Sequence, residues 1–361
     1  MRRQKSDMKF RVYNVESDRT AVHRIWLEIG WIDRGEEAKL DRFLGVGKTI
    51  VGEVRGEVES LALTTPGTVR YLEEDLAFCC VASVTTSLIG RKQGLASRLT
   101  AEAVASAAAE GALVAGLSMF EQGFYDQLGF GTGGYEHVIA FDPAQLTVPA
   151  ASRPPHRLSL SDWEAVHAAR LERRRGHGAC NLSSEMVTYS DIEWAGNRFG
   201  LGYRDGPSGE ISHYVWLDSG RSEHGPVFVR WLCYRTRAQF LELLGLLRNL
   251  GDQIHLLRMR EPAGIQMQDF LRYPLKGRRT TVQSEFEQRN HASATVQMRI
   301  CDLIGCLAQT HLMCGSLRFN LHLSDPIATW LDETAAWRGV AGDYIVTLGP
   351  ESQATVGTDP D

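Results

Sequence analysis

The sequence predicts an α/β protein built on mixed sheets, and three observations predict it. Strand-like and helix-like stretches alternate over residues 10–141. A proline-rich break, "PAQLTVPAASRPP" at residues 143–155, holds four of the twelve prolines and leads into a second alternating segment. A third segment follows the polar run "KGRRTTVQSEFEQRNHAS" and is again strand-rich. A chain of 361 residues also exceeds one ordinary core, which favours two or three domains.

In the first segment "FRVYNV" reads as a strand and the residues from Asp18 as a helix. "TIVGEVRGEVESLALTTPGTVRYL" reads as strand, turn and strand. "DLAFCCVASVTTS" is a long apolar run with β-branched residues toward its end, the pattern of a buried strand, and Gly90 breaks it. "LASRLTAEAVASAAAEG" has seven alanines and no proline, so it is helical, and Gly111 is placed to stop it. "ALVAGLSM" is a further buried strand, "QGFYDQLGFG" a short helix closed by glycine, and "YEHVIAF" a final strand. The order β-α-β-β-β-α-β-α-β describes one α/β domain around a mixed sheet.

The second segment opens with "SDWEAVHAARLERR", where Ser161 and Glu164 form a capping-box pattern. "GLGYR", "EISHYVWLD" and "PVFVRWLCYR" are strand-like and lead into an amphipathic helix, "AQFLELLGLLRNL". A strand, "QIHLLRMR", and a short helix, "QMQDFL", complete it. In the third segment "TVQMRICDLIGCL" starts as a strand or a helix, and "LRFNLHLSD" alternates as a half-buried strand does. "DPIATWLDETAAWRG" reads as turn and irregular structure, "DYIVTLG" as a strand, and the last ten residues as a frayed acidic end.

Composition narrows the function. A net charge of −5 argues against a whole-chain nucleic-acid binder. The basic start "MRRQKSDMKF" has no apolar run behind it, so no secretory leader is expected, and no window approaches a membrane span. The chain reads as cytoplasmic. The seven cysteines contain no C-x-x-C pair and read as buried, reduced thiols. His23, His167, His213 and His255 are scattered without metal spacing, so no metal is expected.

The stretch that points to chemistry is "RKQGLASRL", residues 91–99. A helix starting at Gly94 or Leu95 leaves its first N–H groups without partners, and with the helix dipole these make an anion site. Gly94 lets backbone approach a ligand closely, Ala96 keeps the first turn uncrowded, and Arg91, Lys92 and Arg98 add positive charge. A pyrophosphate suits such a site. Taken alone, the loop also fits an ordinary basic surface connection.

Arg91-Lys92-Gln93-Gly94-Leu95-Ala96 fits the pattern R/Q-x-x-G-x-G/A of the GNAT superfamily of N-acetyltransferases, in the family's position after a strand and before a helix. Further on, "FEQGFYDQLGFG" resembles the family's short helix that bears an aromatic hydroxyl ahead of a Leu-Gly-Phe turn. The closer resemblance is to the enhanced intracellular survival (Eis) branch. It rests on the R-x-x-G-L-A loop, the spacing of Glu121 and Tyr125, and "CYRTRAQFLELLGLLRNLGDQIHLLRMREP". It also rests on "RICDLIGCL" and the tail "FNLHLSDPIATWL…GDYIVTLG".

That resemblance implies tandem GNAT acyltransferase folds followed by a partial α+β sterol-carrier-like domain. The active acetyltransferase would occupy residues 1–148. A degenerate copy would occupy 149–285; nothing in it copies "RKQGLA". A shortened sterol-carrier-protein-like domain would occupy 286–361. The resemblance implies acetyl-CoA as co-substrate, an amine acceptor (aminoglycoside, polyamine or lysine side chain), and a homo-oligomer, hexameric in that branch. It places the pantetheine arm along the backbone of Val84, Thr85 and Thr86. The pyrophosphate falls at Arg91, Lys92, Gln93, Gly94, Leu95, Ala96 and Ser97. Phe120 and Glu121 would line the route to the thioester, and Tyr125 would be the general acid. The chemistry asks for such an acid, because the thiolate leaves more easily when a nearby phenol shares its proton.

Two departures stand out. Phe120 occupies a position where the branch commonly has serine. That branch also uses its C-terminal carboxylate as base, whereas this sequence stops at "ATVGTDPD", soon after the "GDYIVTLG" strand, so Asp361 is not given that role. These departures leave an alternative open, a catalytically silent module that binds acyl-CoA or lipid; a plain scaffold is a third reading. Elsewhere, "WIDRGEE" could edge a cation pocket but fits a solvated helix end, and "RLERRRGHG" fits an exposed helix end.

Overall fold

A computed structural model describes residues 8–149, 153–194, 198–220, 224–275 and 279–360. Residues 150–152 of the expected linker, 276–278 of the expected second boundary, and Asp361 lie outside the described residues.

The first stretch contains β1 (Met8–Val12), α1 (Val15–Glu28), α2 (Glu37–Leu44), β2 (Lys48–Val54), β3 (Glu57–Tyr71) and β4 (Glu74–Thr86). It continues through α3 (Leu95–Ala109), β5 (Val114–Ser118), β6 (Gly131–Thr132) and β7 (Glu136–Phe141). Then come β8 (His156–Leu158), α4 (Trp163–Leu171), β9 (Cys180–Leu182), α5 (Glu185–Glu193), β10 (Arg198–Tyr203), β11 (His213–Asp218) and β12 (Val227–Cys233). The rest comprises α6 (Arg237–Asn249), β13 (Leu257–Arg260), β14 (Arg289–Ser293), β15 (Val296–Ile300), α7 (Leu303–Ala308), β16 (Leu317–Leu323), β17 (Gly342–Leu348) and β18 (Gln353–Val356).

These elements gather into two compact units that do not follow chain order. One takes the described residues of 1–133, 177–186 and 295–361, and the other those of 134–176 and 187–294. The first unit's main sheet runs β1-β2-β3-β4-β5-β15-β6, with β9 also paired to β3, and the unit carries a separate sheet β16-β17-β18. The second unit's sheet runs β14-β7-β13-β12-β11-β10-β8. Both large sheets are mixed: β4–β5 and β12–β13 are parallel, and the other pairs are antiparallel. The expected segment boundaries are therefore crossed at β7, β9, β14 and β15. β7, the expected last strand of the first segment, pairs with β13 and β14, and β15, from the third segment, pairs with β5 and β6. β9, from the second segment, pairs with β3. Apolar alternation marks a strand but not its partner.

Packing explains the helices. α3 lays Ala101, Val104, Ala105 and Ala107 into a core with Cys79, Val81, Ala115 and Leu117 of the first sheet; its small side chains allow a close approach. α6 packs Phe240, Leu243, Leu244 and Leu247 on Val215, Leu217, Val227 and Leu257 of the second sheet. β3 tolerates Pro66 because its strand partners change there. β2 pairs up to Thr64 and β9 starts at Gly67, so no N–H is needed between them.

Several expected elements shift. α1 starts at Val15, where the Asn14 side chain accepts from Glu16 N at 2.9 Å; Asp18 is instead a buried carboxylate held by Arg11 at 2.6 Å. The capping box before α4 uses Ser159 and Asp162 rather than Ser161 and Glu164, because a 3-10 turn at Leu160–Asp162 precedes the helix. "QMQDFL" forms only a 3-10 turn, Met267–Phe270. "TVQMRICDLIGCL" is both a strand and a helix, and the last ten residues include β18, paired with β17, rather than a frayed end. α2, α5 and β9 had no clear signal: they are eight, nine and three residues long.

Candidate functional site

β4 and β5 pair only at Phe78–Val114, Cys79–Ala115 and Cys80–Gly116. β4 then runs six residues further, to Thr86, paired with β3 on one side only. Beyond Gly116, β5 pairs with β15, through Leu117–Gln297 and Ser118–Val296. Among the described residues, no strand covers the free side of β4 after Cys80. The two parallel strands part like a wedge, and the wedge is lined by backbone.

A bulge shapes that edge. The β3–β4 register shifts between Leu61 and Leu63, and Ser83 has φ 55°. Val84 falls in the bulge, and Thr85 and Thr86 resume pairing, with Leu61 and Ser60. Ser60 Oγ donates to the Thr85 carbonyl at 2.6 Å, and the Thr85 hydroxyl donates to the Ser83 carbonyl at 2.8 Å. Thr85 is therefore bound inward, and Val84 is the one of the three that the sheet leaves out of its ladder.

The loop after β4 turns tightly. Gly90 N donates to Ser87 Oγ at 3.0 Å, and a Cβ on Gly90 would lie 2.9 Å from Thr86 Cγ2. Lys92 has φ 61° and Gly94 φ 86°. Gly94 is the N-cap of α3, and no side chain caps the helix there. The first N–H groups of α3 are thus left for a ligand or solvent, at the position where the sequence predicts an anion site. Arg91, Lys92 and Gln93 are exposed, Leu95 and Ser97 are buried, and Ala96 is half-buried. Gln93 folds back to donate to the Ile89 carbonyl at 2.8 Å.

Arg98 departs from its expected part in the charge of the loop. Its guanidinium sits 2.7 Å from both carboxylate oxygens of Asp332 and stacks on Phe10 at 4.7 Å, so its charge is taken up.

The stretch expected as a short helix is a run of turns that ends in one 3-10 turn, Asp126–Leu128, closed by Gly129 at φ 76°. Tyr125 is its N-cap. The ring is 6% exposed and packs edge-on against Phe124 at 4.8 Å and Phe130 at 6.0 Å. Val84 and Met119 pack against the same cluster. Burial, and secondarily the charge of Glu121, pushes the Tyr125 phenol up to about 12. Glu121 is exposed and Phe120 is 82% exposed, so the apolar ring at that position faces solvent.

Sequence reasoning missed what holds this turn. Gln297 on β15 donates to Asp126 Oδ1 at 2.8 Å, and Arg299, two residues on, donates to the Leu128 carbonyl. Arg299 also pairs with Asp325 at 2.6 Å; their side chains are only 2% and 3% exposed. Trp337 stacks on its guanidinium at 5.0 Å. Gln127 donates to Ser97 Oγ at 3.2 Å, which ties the turn to the first turn of α3. No local pattern announces these contacts, because Gln297 and Arg299 lie 171 residues from Asp126 and Leu128, and Ser97 lies 30 from Gln127.

In "WIDRGEE", Glu36 takes Lys39 at 2.8 Å, which lowers its carboxyl, and Glu37 accepts from Gly35 N at 2.7 Å, so these carboxylates serve the start of α2. Burial pushes the thiols of Cys79 and Cys306 up to about 12 and of Cys301 to about 11, which leaves them inert. Cys180 and Cys314 are exposed, contrary to expectation. In the second unit the fold brings His213 together with Asp205 and Glu242, a grouping that the sequence did not suggest. Arg153 lies on both carboxylates, at 2.8 Å and 2.7 Å, so a cation already serves that cluster.

Residues 19–133 match the family model described as an acetyltransferase (GNAT) domain. The chain carries a GNAT acetyltransferase domain. Solved structures extend the likeness over nearly the whole chain. A protein of Enterococcus faecalis, described as a probable N-acyltransferase, is 16% identical over 98% of this chain and 86% of its own, at a TM-score of 0.76. A GCN5-related N-acetyltransferase of Anabaena variabilis is 13% identical over the same shares, at 0.75. Eis1 of Mycobacterium abscessus is 13% identical over 96% of this chain and 84% of its own, at 0.71. No curated protein matches the sequence. The shared fold is the Eis-like fold that the sequence predicts, and N-acetyl transfer is the enzyme class of the GNAT domain. Among the described residues, no helix is long and apolar enough to cross a membrane.

Proposed function

We propose that this GNAT domain transfers an acetyl group from acetyl-CoA directly to a primary amine, with Tyr125 as the general acid. The observation that carries the proposal is the free edge of β4 leading to the uncapped N-terminus of α3, with buried Tyr125 packed in the cluster that Val84 joins. On this reading the pantetheine arm adds to the β4 edge chiefly at Val84, and the pyrophosphate sits on the N–H groups after Gly94. Arg91 and Lys92 are exposed beside it.

The amine attacks the thioester carbonyl, a tetrahedral oxyanion forms, and the C–S bond breaks to release the thiolate. A phenol near 12 stays protonated at every working pH. Full transfer to a thiolate of pKa about 8.5 would run uphill by about 5 kcal/mol, so Tyr125 shares its proton in a hydrogen bond as sulfur gains charge. The amine must be neutral, and its proton leaves to solvent or a neighbouring base. A polyamine, an aminoglycoside and a lysine side chain all present such an amine. The same reading makes the β16–β18 segment part of a sterol-carrier-like scaffold, in a cytoplasmic homo-oligomer.

Release of coenzyme A thiol from acetyl-CoA, measured against a panel of amines, tests it. Tyr125→Phe is expected to lower kcat about a hundredfold or more at unchanged acetyl-CoA affinity. The pH profile should rise with amine deprotonation and show no falling limb below pH 10. A variant that turns over like wild type would remove Tyr125 from the chemistry. One observation favours a second reading: the exposed Phe120 offers no polar contact near the thioester. Acetyl-CoA binding without turnover on any amine would point to the silent acyl-CoA or lipid-binding module instead.

A further inference from the structure

The sheet of the second unit buries one face under α6, through Ile139, Val227, Val229, Leu257 and Met259. Alternation sends the intervening side chains of β7, β12 and β13 to the opposite face. There the register sets two rows side by side. Arg289, Ala140, Arg258 and Phe228 are direct neighbours across four strands. Next to them, His291, Val138 and Arg260 are neighbours across three. Together with Arg230 these residues line a cavity of about 260 Å³.

The charges in it are not balanced. Arg230 pairs with Asp218 at 3.0 Å, but Asp218 also takes Arg198 at 3.1 Å. Arg260 reaches Glu136 at 3.3 Å. Among the described residues Arg258 donates only to the carbonyl of Glu285, at 2.7 Å, and its buried Nε meets no partner. Arg289 is exposed and has no partner among the described residues. Among the described residues two guanidinium groups therefore meet no carboxylate, in a cluster of four arginines beside a histidine. Like charges set close on one sheet face repel, and a bound anion relieves the repulsion.

The site is also shaped in advance. Phe228 holds Arg230 and Arg258 over its ring, at 5.3 Å and 5.4 Å, which fixes two guanidinium groups at one wall. Arg289 stands two strands from Arg258, about 10 Å away, with the methyl of Ala140 as the floor between them. Guanidinium forks in that arrangement suit phosphate oxygens taken two at a time. We propose that this cavity binds the dianionic phosphate group of a small phosphorylated molecule, separately from the acetyl-transfer site.

Inorganic phosphate titrated calorimetrically into the full chain tests this, with sodium chloride at matched ionic strength as the screening control. Saturable binding to one site is expected, weakened at least tenfold in the double variant Arg258→Gln, Arg289→Gln. Acetyl-CoA affinity and the melting temperature should hold. Arg289→Gln alone, at an exposed position, should retain the fold and weaken phosphate several-fold, so the test survives if the double variant does not fold. Malonate, a dianion without phosphorus, should bind at least tenfold more weakly than phosphate. No saturable binding, or equal binding by wild type and Arg289→Gln, overturns the site. Malonate binding as tight as phosphate overturns the phosphate assignment.

Discussion

The helix that follows β4 and the helix that follows β12 begin in opposite ways. α3 starts at Gly94, a left-handed residue with no side chain to cap the helix. α6 starts at Thr236, whose hydroxyl accepts from Gln239 N while Gln239 Oε1 accepts from Thr236 N, each at 3.3 Å; Gln239 Oε1 also takes Arg235 N at 2.8 Å. The second junction satisfies two donors with its own side chains, and the first has no side chain to do so. Each follows a strand of a mixed sheet and leads into a core helix, so the difference lies in the cap. An open N-terminus attracts an anion, and a closed one stabilises only itself. A sheet with a following helix is thus a scaffold, and the residue at the cap decides whether the helix offers its first N–H groups to an anion.

The largest expected effect concerns what supports the open junction. Asp325→Ala leaves the Arg299 charge buried without its partner, which should cost about 3–5 kcal/mol of stability. Denaturant unfolding would read it, and a loss under 1 kcal/mol would mean that Arg299 does not brace the Tyr125 turn. Next, Gly94→Asp gives α3 a side chain where it has none and a carboxylate where the anion should lie. At φ 86° the change is also strained. Acetyl-CoA affinity is expected to fall about a hundredfold, near 2.7 kcal/mol, by calorimetry. Unchanged affinity would place the coenzyme elsewhere.

A third cap sharpens the comparison by adding charge. At α1, Asp18 lies in the first turn, and the Arg11 guanidinium holds its carboxyl down to about 2. Its folded pKa lies below its unfolded value of about 3.9, so the stabilisation is present above that value. It is lost as pH falls from about 4 through about 2 and amounts to roughly 2 kcal/mol. Acid unfolding of Asp18→Asn against wild type measures it. The variant should lose stability at pH 7 and show a flatter acid limb; parallel curves would sink the assignment. The smallest effect is at the closed junction. Thr236→Ala should cost about 1 kcal/mol and leave acetyl-CoA affinity untouched. A drop in affinity there would contradict the contrast between the two junctions.

The Gly94 loop was legible because it is local: a buried strand, a glycine, and an alanine-rich helix stand within a few residues. α6 was legible for the same reason, through its apolar stripe. Arg98 was not, since nothing in "RKQGLASRL" reveals Asp332, and without that partner its charge reads as free. The Tyr125 turn looked helical because its residues allow a helix, yet Gln297 and Arg299 take its polar groups and leave one 3-10 turn.

By itself the sequence determined the α/β class, the position of nearly every long strand and helix, the uncapped glycine before α3, and the resemblance to GNAT proteins. All of these rest on periodicity or on short spacings. The tertiary structure decided which strands pair: β7 in the second sheet, β15 in the first, and β9 beside β3. It also decided that Arg299 and Gln297 hold the turn that bears Tyr125, and that four arginines share one sheet face. Periodicity records which side of a strand is buried. Partner choice depends on edge hydrogen bonds and on charges that find their counterparts only once distant segments have packed.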